Sequence, residues 1–206
     1  MGDAVGPAVV MDEPQVFELA DRTLEAVVAR ISDDQWDMTV PANFARRPSD
    51  VLPTLRQVIG YHAYDDAWVP DMLAGRTMDE AGADTFDGDL LGADPRAAFA
   101  AIVEKACAAA REVSDLQATV HCSFGDYTVR EYFWQINRFR GLRAHDIARV
   151  IGVESGLSDP LVQGLWDEIS PHAEQWRAIG VFPAAVAVAA EAPLLDRLLG
   201  LTGRTP

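Results

Sequence analysis

"RGLRAHDIARVIG", Arg140 to Gly152, reads as the second half of a long helix. Ile147, Val150 and Ile151 keep helical spacing. Counting back from them at about 100° per residue puts Arg143 in the middle of the apolar stripe. On the same wheel Arg140 lies nearer the edge, where its guanidinium can snorkel outward. His145 points away from the stripe. A helix that aims an arginine at its own core must give it a partner, because an unpaired buried charge is costly.

The partner is expected on the second helix, placed from about Ser49 or Asp50 to Ala74, with Pro53 in its first turn and Gly75 as its stop. Val51, Leu52, Leu55, Val58, Ile59, Val69 and Leu73 form its apolar stripe. His62 and Asp66 fall in the centre of that stripe, one turn apart on one face. Three readings follow. His62, Asp66 and a third ligand hold a divalent metal, for which imidazole and carboxylate suit zinc, iron or nickel. Arg143 forms a metal-free ion pair with Asp66, with His62 hydrogen-bonded nearby. Or the site is an open pocket in which Arg143 binds the carboxylate of a small acid.

Around these two helices the pattern is helical throughout. Glu13 to Ser32 is amphipathic and Pro14 suits its first turn. Asp94-Pro95 opens a third helix to Ser114. "TVRE", Thr128 to Glu131, is a capping box that opens the fourth, ending near Gly152. "ATVHCSFGDY" reads as a short extended arm with a turn at Gly125-Asp126. Ser158-Asp159-Pro160 opens a fifth helix, which Pro171 ends or kinks, and Pro193 starts a last short one. Gly141 allows some distortion of the fourth helix. The expectation is an all-α fold, a four-helix bundle with crossover connections over 13–153. A disordered tail (1–12) precedes it and a C-terminal helical extension (154–206) packs on it.

The chain has 206 residues and a net charge of −15, with one lysine, Lys105. That balance argues against nucleic acid and anionic membrane as partners. No apolar run approaches the ~20 residues of a membrane span, and no basic, signal-like start precedes the bundle, so a cytoplasmic location is expected. Cys107 and Cys122 lack CxxC pairing and read as reduced thiols. His121 and Cys122 are strand neighbours that point to opposite faces. The Asp-rich loop from Asp79 to Asp94 lacks the glutamate of an EF-hand and reads as a solvated loop that could cover the bundle mouth. Neither a Gly-rich phosphate loop nor a GxSxG elbow occurs.

Three separated stretches, "YHAYDDAWVPDMLAGRTMDEAG" (61–82), "FDGDLLGADP" (86–95) and "APLLDRLLGLTGRTP" (192–206), resemble actinobacterial proteins of the mycothiol-dependent maleylpyruvate isomerase family, in the DinB-like superfamily. The resemblance spans nearly the whole chain. It implies a DinB-like four-helix bundle and a divalent metal held by a second-helix histidine, matching His62, with two ligands four residues apart on the fourth helix. It also implies the thiol mycothiol as a reaction partner. The fourth-helix positions are Phe139 and Arg143 here, neither an ordinary ligand. His145 could replace them only if the helix were rotated, which would make His62, Asp66 and His145 the metal set. The resemblance therefore implies a repurposed site. It would be lined by His62, Asp66 and Arg143, with His62 as acid or base, Asp66 orienting it, and Arg143 holding an anionic or electrophilic metabolite. The alternative is a non-catalytic protein with a buried ion-pair network. It would work as a homodimer through Trp134, Arg138 and His145 on the outward face of the fourth helix.

Overall fold

The computed structural model describes residues 11–44, 51–123 and 125–206. It is mostly helical, with one two-stranded hairpin among the described residues. Helix α1 spans Glu13–Val28, α2 Leu55–Ala67, α3 Val69–Leu73, α4 Met78–Ala81, α5 Pro95–Arg111 and α6 Val129–Ile151. The C-terminal layer adds α7 Asp159–Ile169, α8 Ala173–Ala178 and α9 Leu194–Leu201. Strands β1 (Thr119–Cys122) and β2 (Gly125–Thr128) pair antiparallel, Val120 facing Tyr127.

Local chemistry sets these boundaries. The Thr128 side chain accepts from the Glu131 amide while the Glu131 carboxylate takes the Thr128 amide, so α6 starts there. It ends at Gly152 in the left-handed region, φ 75°. Asp94 and Ser158 cap α5 and α7, each ahead of a proline. Of the expected tail, positions 1–10 lie outside the described residues, and Asp12 caps α1.

Two helices differ from expectation. Positions 49 and 50, expected to cap the second helix, lie outside the described residues. The helix starts later, at Leu55, behind a capping box of Thr54 and Gln57. Pro53 precedes it, held extended by a bond from the Val40 amide to its carbonyl and by the bridge of Thr39 to Thr54. The helix also breaks at Trp68. Pro70 has no amide to donate to Asp66, so α2 ends at Ala67 and α3 restarts at Val69. The Asp-rich loop carries the short α4, whose capping box joins Thr77 to Glu80.

The core has two parts. The larger lies between α1, α2, α3, α5, α6 and the hairpin, around Phe17, Ile59, Phe99, Val103, Phe133 and Ile147. The smaller fills the space between α1 and α6 and the C-terminal layer, around Val16, Leu142, Leu161, Leu165 and Leu198. Helix α1 serves both, with Phe17 on one face and Val16 and Ala20 on the other. Gly141 does not distort α6, which runs unbroken. Its missing side chain lets Leu165 approach, since a Cβ there would stand 2.6 Å from Leu165 Cδ1. Gly200 has less room. A Cβ would meet the Val186 carbonyl oxygen at 2.8 Å and also the Val188 side chain, and that carbonyl belongs to the residue whose amide bonds Gly200.

Glu168 of α7 is buried against α6, where it accepts a 2.8 Å hydrogen bond from Asn137 Nδ2. Burial pushes its carboxyl up to about 8, so it is largely neutral at pH 7. Among the described residues, no helix is long and apolar enough to cross a membrane.

Two outcomes are expected. Gly200→Ala should lower stability by about 1–3 kcal/mol in thermal unfolding, because backbone rather than a flexible side chain must yield. Glu168 has a raised pKa in the fold, so its contribution is full below the ordinary glutamate value near 4.5 and is lost as pH rises through about 8. Denaturant titrations at pH 6 and pH 9 should therefore show the native protein weakening between them, and Glu168→Gln should reduce that drop. An unchanged drop in the variant would place the alkaline loss elsewhere.

Candidate functional site

The inward line of α6 is Phe133, Asn137, Arg140, Ala144, Ile147 and Ile151, all buried, at alternating spacings of four and three. Arg140 therefore faces the core, and Arg143 stands on the flank. This reverses the sequence expectation for the two arginines. On a wheel of about 100° per residue both arginines fall within about 40° of Ile147, one on each side, so the angle alone does not separate them.

Arg140 is 1% exposed and lies between two buried carboxyls. Its Nε donates to Asp66 Oδ1 at 2.6 Å, and its Nη2 donates to the same oxygen. Asp21 of α1, which the sequence reading did not single out, places Oδ1 3.4 Å from Nε. Phe17 lies under the guanidinium, its ring centre 5.1 Å away. Two carboxylates and one guanidinium would leave a net buried negative charge, so one carboxyl must hold a proton. Burial, then the neighbouring Asp66 charge, pushes Asp21 well above the carboxylate range. Burial also raises Asp66, but Arg140 works against it there. Asp21 is therefore the carboxyl that burial and the Asp66 charge favour in its protonated form. Burial opposes the Arg140 charge, and Asp66 and Asp21 more than restore it. The result is a neutral triad that ties α1, α2 and α6 together.

Beside this triad lies a cavity of about 530 Å³. It is bounded by α6, by Tyr64, Trp68 and Met72 near the α2–α3 break, by the hairpin, and by the C-terminal layer through Phe182 and Arg204. Four arginines, 138, 140, 143 and 204, face two aspartates, 65 and 146, on its wall. Asp66 neutralises Arg140, which leaves three arginines against two aspartates in a chain whose net charge is −15.

Arg143, like Arg138, has no hydrogen-bonded carboxylate among the described residues. Its side chain is 11% exposed and lies against the rings of Phe44 at 4.5 Å and Phe139 at 5.4 Å. Its nearest carboxylate is Asp146, 3.8 Å from Nη1 and outside hydrogen-bond range. Asp146 is already engaged by Arg204, which donates Nε to Oδ1 and Nη2 to Oδ2, both at 2.8 Å. Arg143 Nη1 consequently has no hydrogen-bond partner among the described residues, and burial pushes its pKa down. Arg138, on the opposite flank of the cavity-facing stripe, lies 4.6 Å from the Trp176 ring centre. Burial pulls it down to about 10.

The other candidates are dispersed. His62 is buried and does not line the cavity; it stacks on Phe139, ring centres 4.8 Å apart, and Phe139 does line it. Asp66 faces Arg140, so the expected Asp66–Arg143 pair is replaced by Asp66–Arg140. His145 is half-buried rather than solvated. Burial lowers its pKa, and it stands away from the cavity wall. Among the described residues, no group of three or more His, Cys, Asp or Glu side chains is placed to hold a metal ion. His62, Asp66 and His145 therefore do not fit a divalent cation, and Asp66 Oδ1 is already taken by the Arg140 guanidinium. Cys122 lies at the cavity edge with its thiol pushed up to about 11 by burial. His121 pairs with Asp126 across the hairpin at 2.8 Å. Trp134 and Arg138, expected on an open dimer face, are met by the chain's own α8 side: Trp134 packs on His172 and Arg138 on Trp176.

No model of a known protein family matches the chain, and no curated protein or solved structure matches it.

The triad makes a two-part prediction. Arg140→Met leaves two carboxyls in an apolar site and should cost about 3–5 kcal/mol in chemical denaturation. Asp21→Asn keeps the shape and removes the need for the proton. The raised Asp21 pKa adds stability below the unfolded carboxylate value and loses it as pH rises through the folded one. Asp21→Asn should therefore be tolerated at pH 7 and flatten the decline of stability toward alkaline pH. A cost as large as that of Arg140→Met would mean that Asp21 is ionised.

Proposed function

We propose that the protein binds a small anionic or electrophilic molecule in the cavity beside α6, with Arg143 as the cation that receives it. One observation carries this. Arg204 holds both oxygens of Asp146, so a mostly buried guanidinium faces the cavity without a hydrogen-bonded counterion. A carboxylate or an enolate-like oxygen would supply the missing acceptor in a fork geometry, and would gain strength from the low-dielectric wall.

The resemblance to the DinB-like, maleylpyruvate isomerase type extends this to catalysis on a four-helix bundle. The arrangement of helices supports it: α6 packs on α1, α1 on α5, and α5 on α2, and Arg140–Asp66 closes the ring between α6 and α2. In that reading Arg143 stands where a metal ligand would be expected, and it polarises the substrate in place of the cation. Mycothiol enters only as the thiol co-substrate implied by the resemblance. His62, expected as the acid or base, stacks on Phe139 and meets the cavity only through that ring. Asp66 belongs to the buried triad and supports the site by position. The alternative, a structural or interaction protein, draws its support from that same triad.

The test separates the two arginines. Benzoate binding, measured by calorimetry, should fall by about tenfold or more in Arg143→Met. It should also weaken in Arg204→Met, where Asp146 is released to pair with Arg143. Both variants should keep the native circular dichroism spectrum. Unchanged benzoate affinity in folded Arg143→Met would remove the proposal.

A further inference from the structure

The cavity is far larger than the head group that Arg143 can hold. At close to a water's share of volume per non-hydrogen atom, 530 Å³ accommodates roughly twenty such atoms, whereas a compact acid of about six would leave most of it to water. The larger share of the wall is apolar. Trp68, Tyr132, Phe139 and Phe182 present rings to it, and Met72 and Leu142 add aliphatic surface. Phe182 and Val181 come from the C-terminal layer, which therefore forms part of the ligand's wall rather than a remote appendage. Val181 is 40% exposed and stands at the rim, while Phe182 is buried and packs edge-on against Trp176, ring centres 5.7 Å apart. Trp176 in turn carries Arg138. Arg143, Asp146 and Arg204 lie together on the wall, and Arg138 stands on it beside Trp176.

We infer that the ligand is an amphipathic anion with a flat, unsaturated body of roughly twenty non-hydrogen atoms, its carboxylate on Arg143 and its body against the Phe139 and Phe182 rings. This rests on the assignment of Arg143 as the anion site. It adds a specificity role for Phe182 and the rim residue Val181.

Calorimetric titration of the full chain with acetate, benzoate and 4-(1-pyrenyl)butanoate tests both layers. Affinity should rise by about a hundredfold from acetate to the pyrenyl acid, as apolar area is buried. Phe182→Ser should lose about tenfold for the pyrenyl acid and leave benzoate unchanged. Val181→Trp, at an exposed position that the fold does not depend on, should narrow the mouth. It should weaken the pyrenyl acid selectively, which keeps the test informative if Phe182→Ser fails to fold. Arg143→Met should weaken every acid that binds. Equal affinity for benzoate and the pyrenyl acid would overturn the size inference and leave the anion site standing. Binding of the pyrenyl acid that survives Arg143→Met, or no binding by any acid, would overturn the anion assignment itself.

Discussion

A guanidinium buried between two carboxyls constrains everything around it. Arg140 cannot leave the core without stranding Asp66, and Asp66 cannot stay ionised without Arg140. Because the three groups come from α6, α2 and α1, their geometry fixes how those helices meet. Asp21 completes the balance, its carboxyl pushed toward the protonated form by burial and by the Asp66 charge. The triad consumes Arg140 and Asp66, and that leaves Arg143, three residues further along the helix, facing the cavity with no hydrogen-bonded carboxylate among the described residues.

The cavity depends on a second competition, for Asp146. Arg204 arrives from the C-terminal end with its fork aligned to both oxygens, and Arg143 is left 3.8 Å away. The C-terminal layer thus does two jobs at this place. It removes the counterion from Arg143, and it closes the apolar wall with Phe182. A chain of strongly negative net charge repels anions over most of its surface, so a cationic, ring-lined cavity is the place where one can gain. The metal set expected from the resemblance does not assemble, because its helix positions carry Phe139 and Arg143 and its carboxylate is bound by Arg140.

Much of this was legible in the sequence. The caps at Asp94, Thr128 and Ser158 and the stop at Gly152 set the helices where the rules for caps place them. The inward direction of His62 and Asp66 was readable from their four-residue spacing. The choice between Arg140 and Arg143 is not decided by the helical wheel, since both lie within about 40° of Ile147. The line Phe133, Asn137, Arg140, Ala144, Ile147, Ile151 was present in the sequence and would have decided it. Asp21 was similarly available, in the line Phe17, Asp21, Leu24, Val28, but an aspartate among apolar residues looks like a break in the stripe. The break at Trp68 had its signal in Pro70. The contributions of Phe182 and Arg204 had none, since only the long-range packing of the C-terminal layer brings them to α6.

The most direct measurement is a crystal soaked in bromide, with anomalous scattering used to locate the ion. A halide needs only a desolvated cation with an open donor, so it reports where the molecule keeps one. The account places bromide in the cavity at Arg143 Nη1 and leaves Arg140 without any, because the triad is already neutral. Bromide beside Arg140, or a cavity in which Arg143 has turned to bond Asp146 and no halide binds, would contradict it.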